Sequence, residues 1–407
     1  MGCQVNKGLS ITIRLGVAQI IGWGSSFYLP AILAVPISLS LGISTQEFFW
    51  AFTLSLLVSG LLGPQVGKAI DRLGGRAVLP YGSLVFALGL TLLSVSTNQM
   101  MLVTAWLLIG VGGSMGNYDS AFATAVNFFG NKSNKVIAGI TVFAGFSSTI
   151  SWPLTSFLEQ TIGWQQAVFF WALLHLVIGL PLNLSIPKAP RREVPDMTGP
   201  IKKIIKNKFR FDLLVVIFAL MFALEGFIVS SVNTTLPFLL TELGASTGVA
   251  LLAASILGPS QVLARILILI PGKIMTPMRV AALSIAAHPI GVLLIWLFGV
   301  NALIPFVILH GIGVGLNPFI RGSLPLLFFG ADRFGQRQGY IMMLSKIVSA
   351  LSPTLFTLIV LANVQNAIGA TFAMGVAAMG LLVWLSAIHR VRTKAALVAS
   401  AASSLEG

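Results

Sequence analysis

Twelve apolar runs, most of about 20 residues or more, follow one another along the chain, each long enough to cross a hydrocarbon layer of about 30 Å as a helix. Inside such a layer the backbone must satisfy its own hydrogen bonds, which selects helices over open strands. The runs lie near 11–38, 48–70, 77–96, 101–128, 136–158 and 165–186, and again near 212–240, 247–270, 280–299, 302–328, 339–361 and 368–388. They predict an all-α integral membrane protein with 12 transmembrane helices, numbered here helix 1 to helix 12. Charged residues are only 9% of the 407, against about 25% in soluble domains. The first run is too long for a cleaved leader and lacks a small-residue cleavage site, so it is expected to remain as a span.

One long polar stretch, 187–211, divides the runs into two sets of six. It carries Lys188, Arg191, Arg192, Lys202, Lys203, Lys206, Lys208 and Arg210 against Glu193 and Asp196. Basic residues in short loops mark the cytoplasmic side. With this stretch inside, 22 of the 25 Lys and Arg residues fall in cytoplasmic segments or helix ends, and the outer loops carry only Glu47, Glu159 and Glu242. A multi-pass protein of the cytoplasmic (inner) membrane with both termini cytoplasmic is expected. The +14 net charge is spread in short clusters between apolar runs, the membrane pattern rather than that of a nucleic-acid binder. Cys3 is the only cysteine, so an intramolecular disulfide, a redox pair and a thiolate metal site are excluded.

The two sets resemble one another. GVGGSMGNYDSAFATAVNFFG, ending at Gly130, parallels GIGVGLNPFIRGSLPLLFFG, ending at Gly330, and LLGPQVGKAI at 61–70 parallels ILGPSQVLARI at 256–266. Internal repeats of this kind build transporters with pseudo-symmetric halves and a site near the midplane. The expected domains are a six-helix bundle at 1–186, the basic linker at 187–211, and a second bundle with a cytoplasmic tail at 212–407.

Between helices 2 and 3 the chain reads Gly67-Lys-Ala-Ile-Asp71-Arg72-Leu-Gly74-Gly75-Arg76. Glycine permits a sharp turn and close packing, and Asp71 can accept from basic groups or from a helix N-terminus. The stretch resembles the G-x-x-x-D-R-x-G-R/K signature of the major facilitator superfamily, in the loop where that family carries it. The resemblance implies two six-helix bundles with helices 3, 6, 9 and 12 outermost, and a conformational gate at Gly67, Asp71, Arg72 and Arg76. The second half departs from the signature, with Lys273 where the acid would stand. Helix 5 reads AGFSSTISWPLTSF, without the G-P-x-x-G-G pattern of drug-antiporter branches.

Five charged side chains stand inside the apolar runs: Asp119, Glu225, Arg265, Arg321 and Lys346. Each costs about 2.5–3.5 kcal/mol at the bilayer centre on insertion scales, which makes each a functional candidate. Arg265 and Gln261 are one turn apart on helix 8, so a guanidinium fork and an amide share a face suited to a carboxylate or phosphate. The position of Arg265, and of Lys346 as a second cation, resembles the monocarboxylate and oxalate–formate branch of the superfamily. His310, Asn317 and Arg321, spaced by seven and four, stack on one face of helix 10. Gln19, Trp23 and Tyr28 on helix 1 are candidates to line a substrate path, with a bend expected near Pro30. Glu225 and Asp119 are the candidate proton carriers, because a carboxyl deprived of water can load and release a proton near neutral pH.

Neither a Gly-Lys-Ser/Thr phosphate loop nor a His/Cys/acid cluster with metal spacing occurs in the sequence, which argues against an enzyme and against any cofactor or metal. Transport driven by a gradient remains. The leading expectation is a monomeric secondary transporter of a small organic anion of carboxylate type, coupled to protons or to a counter-substrate, with membrane lipids as its surroundings and no nucleic-acid partner. The alternative is a proton-coupled exporter of drugs or cationic metabolites that uses Asp119 and Glu225 as binding acids.

Overall fold

The computed structural model describes residues 2–189, 212–269 and 275–403. Most of the basic linker 187–211 and Lys273 lie outside the described residues. Among the described residues the secondary structure is helical throughout. Eleven continuous helical stretches are long and apolar enough to cross a membrane. The longest, Pro277–Phe329, has 53 residues and would extend about 80 Å at 1.5 Å per residue, far beyond one bilayer. It turns over at Gly299–Ala302 and so contains two helices, which brings the spans to the expected twelve.

Several expected helices are broken within the membrane. Helix 1 consists of Gly2–Ser25 and Pro30–Leu41, and the break falls just ahead of Pro30 as expected. Helix 2 is Thr45–Leu73, started by a capping box in which Ser44 and Glu47 satisfy one another's backbone amides. Helix 3 is Leu79–Ser94, and helix 4 is divided into Gln99–Gly116 and Tyr118–Phe129. Helix 5 is Asn134–Gly145 and Ser147–Ile162; helix 6 begins as Trp164–Leu174, passes through a π-helical turn at His175–Gly179 and ends as Leu180–Leu184. In the second half, helix 7 is Leu213–Glu242, helix 8 is Thr247–Ser255 and Leu257–Ile268, helix 9 is Pro277–Phe298 and helix 10 is Leu303–Phe329. Helix 11 is Phe334–Ala362, and helix 12 continues from Val364 to Ser403, well past the expected end near 388.

The described chain forms two compact units, Met1–Ala219 with Ala331–Leu344, and Leu220–Gly330 with Ser345–Gly407. Each repeats one packing scheme. In the first, helix 1 packs on helix 5, helix 4 on helices 2 and 3, and helix 3 on helix 6. In the second, helix 10 packs on helices 8 and 9, and helix 9 on helix 12. The core of the first unit is aromatic, built on Phe48, Phe86, Trp106 and Trp171; that of the second is more aliphatic, around Ile228, Val232, Leu236, Val307 and Phe356. The FFG repeat acts alike in both, because Gly130 (φ +58°) and Gly330 (φ +66°) end helices 4 and 10 in a conformation that glycine alone adopts without strain.

The first half of helix 11 belongs to the first unit because its backbone approaches helix 2 directly. Gly63 and Gly67 face Gly339 and Gly335, and a Cβ added at Gly67 would collide with the carbonyl of Gly335. Small residues four apart on both helices permit this approach.

Candidate functional site

In the first unit, the break in helix 4 organises the polar residues. Asn117 is extended (φ −82°, ψ −170°) after a glycine-rich run, and the break leaves carbonyls without their usual intrahelical donors. Two side chains supply them: Ser120 Oγ donates to the Ser114 carbonyl at 2.7 Å, and Gln19 Nε2 donates to the Gly116 carbonyl at 2.7 Å. Gln19 is buried, and its Oε1 accepts from Trp23 Nε1 at 3.2 Å. Trp23 is half-buried with its ring 5.0 Å from that of Tyr118. Tyr28 stands edge-on to Trp152 at 5.7 Å, and its carbonyl accepts from Trp152 Nε1. Gln19, Trp23 and Tyr28 are thus brought beside helices 4 and 5.

Asp119 lies in the first turn after the break, half-buried, and accepts from Gln338 Nε2 at 3.3 Å. Nearby, Asp71 accepts from the backbone amides of Gly335 and Gln336, both at 2.8 Å, one on each carboxylate oxygen. Those amides open helix 11, so Asp71 caps that helix where its free N–H groups and dipole favour negative charge. Of the expected gate residues, Gly67 and Asp71 meet at this contact. Arg72 and Arg76 are exposed and do not take part in it.

In the second unit, the polar residues gather around Glu225 in the middle of helix 7. Glu225 is fully buried, and its Oε2 accepts from Asn317 Nδ2 at 3.4 Å and faces His288 Nε2 at 3.5 Å. His288 Nδ1 lies 3.0 Å from His310 Nδ1, and His310 Nε2 lies 3.1 Å from Asn233 Oδ1. Asn317 and His310 thus face Glu225 and its neighbours, as their shared helical face predicts. Arg321, one turn beyond Asn317, donates from Nη2 to Ser345 Oγ at 3.3 Å, and Ser345 Oγ donates in turn to the Phe222 carbonyl. Lys346 is half-buried beside Ser345 in the sequence of helix 11.

Arg265 is only 6% exposed and donates from Nε to the Gly315 carbonyl at 3.2 Å. Helix 8 comes that close because Gly315 has no side chain: a Cβ there would lie 2.5 Å from the Gln261 carbonyl oxygen. Gln261 is half-buried, with its backbone forming the contact that positions Arg265. Among the described residues the Nη groups of Arg265 have no hydrogen-bond partner, so both prongs of the fork remain available. Neither His288 nor Asn233 is a carboxylate, Lys or Arg, so neither stands out in the sequence as a charge within the spans. An imidazole in the apolar run AALSIAAHPIGVLLIW was the signal that could have found His288.

The sequence profile of the Major Facilitator Superfamily matches residues 15–353. Among curated proteins, the chain is 26% identical over 246 residues to the "Probable nitrate/nitrite antiporter NarK1" of Thermus thermophilus, covering 56% of this chain and 55% of that one. It is 26% identical over 189 residues to "Monocarboxylate transporter 14" of Mus musculus, covering 42% and 36%. The matches therefore span about half the length of these relatives or less. Among solved structures, the proton:xylose symporter XylE superposes with a TM-score of 0.73 at 13% identity, covering 93% of this chain and 96% of that one, a likeness of fold.

Proposed function

Since the chain belongs to the major facilitator superfamily, whose members are transporters and not enzymes, we propose that it carries a small organic anion of carboxylate type by alternating access, coupled to protons or to a counter-substrate. The observation that carries this reading is the buried Arg265, whose Nε is used by Gly315 while its Nη fork is left to a ligand. A planar bidentate donor matches a carboxylate better than a point charge does. Arg321 and Lys346 add two more cations to the spans of the second half, against Glu225 alone, and this surplus favours an anionic cargo. Names of the relatives agree in part, since two of them refer to nitrate, nitrite and monocarboxylates.

Within this reading, Gln261, Asn317, His310, Trp23, Tyr28 and Gln19 are further candidates to line the substrate path. Glu225 and Asp119 hold the coupling proton. The Asp71 cap and the glycine contact around Gly67 form a latch that is released and remade in each cycle. We place the protein in the cytoplasmic membrane as a monomer with both termini inside.

The test is counterflow in proteoliposomes with a panel of labelled mono- and dicarboxylates. Arg265→Ala is expected to abolish uptake, and Arg265→Lys to reduce it at least about tenfold, the equivalent of one charge-assisted hydrogen bond of about 1.5 kcal/mol. Full uptake by the lysine variant removes the bidentate reading. Protection of cells against cationic drugs with no carboxylate flux turns the assignment to the exporter alternative.

A further inference from the structure

Four side chains in the second unit form one continuous chain of contacts: Glu225, His288, His310 and Asn233, with successive separations of 3.5, 3.0 and 3.1 Å. Glu225, His288 and His310 are buried, whereas Asn233 is half-buried. Glu225 and Asn233 both belong to helix 7 and are eight residues apart, about 12 Å along its axis. The chain leaves helix 7 at Glu225, crosses helices 9 and 10, and returns at Asn233. Space for it is built in, since a Cβ at Gly313 would lie 2.5 Å from His288 Cε1. The Oε1 atom of Glu225 has no hydrogen-bond partner among the described residues.

From this geometry we infer that Glu225, His288, His310 and Asn233 form a proton relay, in which the two imidazoles pass the coupling proton between Glu225 and the half-buried end at Asn233. The inference deepens the proposed proton coupling at Glu225 and rests on it.

The hydrogen-bond directions decide where the proton sits. A neutral imidazole carries one hydrogen, donating from one ring nitrogen and accepting at the other. With Asn233 presenting Oδ1, His310 must donate from Nε2, so its Nδ1 accepts from His288 Nδ1–H. That leaves His288 Nε2 as an acceptor 3.5 Å from Glu225 Oε2, a position that a proton carried by Glu225 would complete. In the loaded form of the relay the proton is held by the Glu225–His288 pair. Unloading moves three hydrogens by one step each. The Glu225 proton passes to His288 Nε2, the His288 Nδ1 proton passes to His310 Nδ1, and the His310 Nε2 proton leaves to a water molecule at Asn233. Three bonds to hydrogen break and three form, and both imidazoles end neutral. Glu225 is then a carboxylate accepting from His288. The Asn233 amide turns to donate Nδ2–H to the bare Nε2 of His310.

Arg265 on helix 8 is directed to Gly315, Arg321 on helix 10 to Ser345, and Lys346 lies on helix 11. Arg279 stands in the first turn of helix 9 and Arg337 in the first turn of helix 11, while His389, Arg390, Arg392 and Lys394 lie in the C-terminal half of helix 12. On helix 7 itself, Asp212 and Glu242 stand at the two ends.

The experiment is solid-state NMR of the full chain, labelled with nitrogen-15 in its histidines, in lipid vesicles from about pH 5 to 8, the range in which histidine ordinarily titrates. His288 is expected as the Nδ1–H tautomer and His310 as the Nε2–H tautomer at low pH, and both are expected to exchange to the opposite tautomer at high pH. Glu225→Gln keeps a permanent donor at the end of the chain, so both histidines should stay in the low-pH form throughout. Tautomers that do not change with pH in the unmutated protein overturn the relay, as does continued switching in Glu225→Gln. The readout needs no substrate. Carboxylate uptake with fixed tautomers overturns the relay and leaves the anion reading standing, whereas switching tautomers without carboxylate uptake support the relay and count against the cargo.

Discussion

Asp71→Asn should release the first turn of helix 11. The carboxylate uses one oxygen for each of two amides, Gly335 and Gln336, at 2.8 Å. Asparagine keeps one acceptor and turns an N–H₂ towards the other amide, so one charge-assisted bond, about 1.5–3 kcal/mol, is replaced by opposed donors. Loss of the negative charge at the helix N-terminus adds about 0.3–1 kcal/mol. The sum, about 2–4 kcal/mol, raises the released fraction about 30- to 900-fold. Ala123 reports this release, because it is buried and its Cβ would be 3.1 Å from a side chain at Gly335. In a Cys3→Ser background, a cysteine at Ala123 should react slowly with a small maleimide, and Asp71→Asn should accelerate the reaction towards that factor where opening is fast relative to labelling. An unchanged rate would refute the cap as the element that holds helix 11 closed.

Two further substitutions test the packing that places the site. Gly315→Ala puts a methyl 2.5 Å from the Gln261 carbonyl oxygen, so helix 8 must retreat from helix 10. The expected cost is about 1–3 kcal/mol, read as a lower thermal unfolding midpoint in detergent together with weaker anion uptake as Arg265 loses its anchor. Trp171→Phe removes a buried donor that bonds Thr155 Oγ1 at 3.0 Å. The combined cavity and unpaired hydroxyl should destabilise the protein by about 1–3 kcal/mol, and an unfolding midpoint equal to that of the unmutated protein would contradict this.

Much of the fold is legible in the sequence because a bilayer imposes its own length on the chain. Gly67 and Asp71 announced a glycine contact and an acceptor for a helix N-terminus, yet the loop could not say that the helix would be the eleventh. Helix breaks were less visible. Pro30 signalled the first, but the one at Asn117 depends on Gln19 and Ser120 arriving from elsewhere in the fold to satisfy the freed carbonyls. The spacing of His310, Asn317 and Arg321 places them on one helical face, and the structure joins Asn317 to Glu225, His310 to His288 and Arg321 to Ser345. Nothing in that spacing names His288, which reaches His310 across 22 residues.

The sequence alone therefore determined the solvent of this protein, the number of its passes and the repeat that relates its halves. These follow from local quantities: runs of apolar residues, charges between them, and glycine at helix ends. Which buried groups touch was decided only by tertiary structure. A polar side chain in a dry interior must find a partner wherever packing brings one within about 3 Å, and that distance is set by helices far apart in the chain.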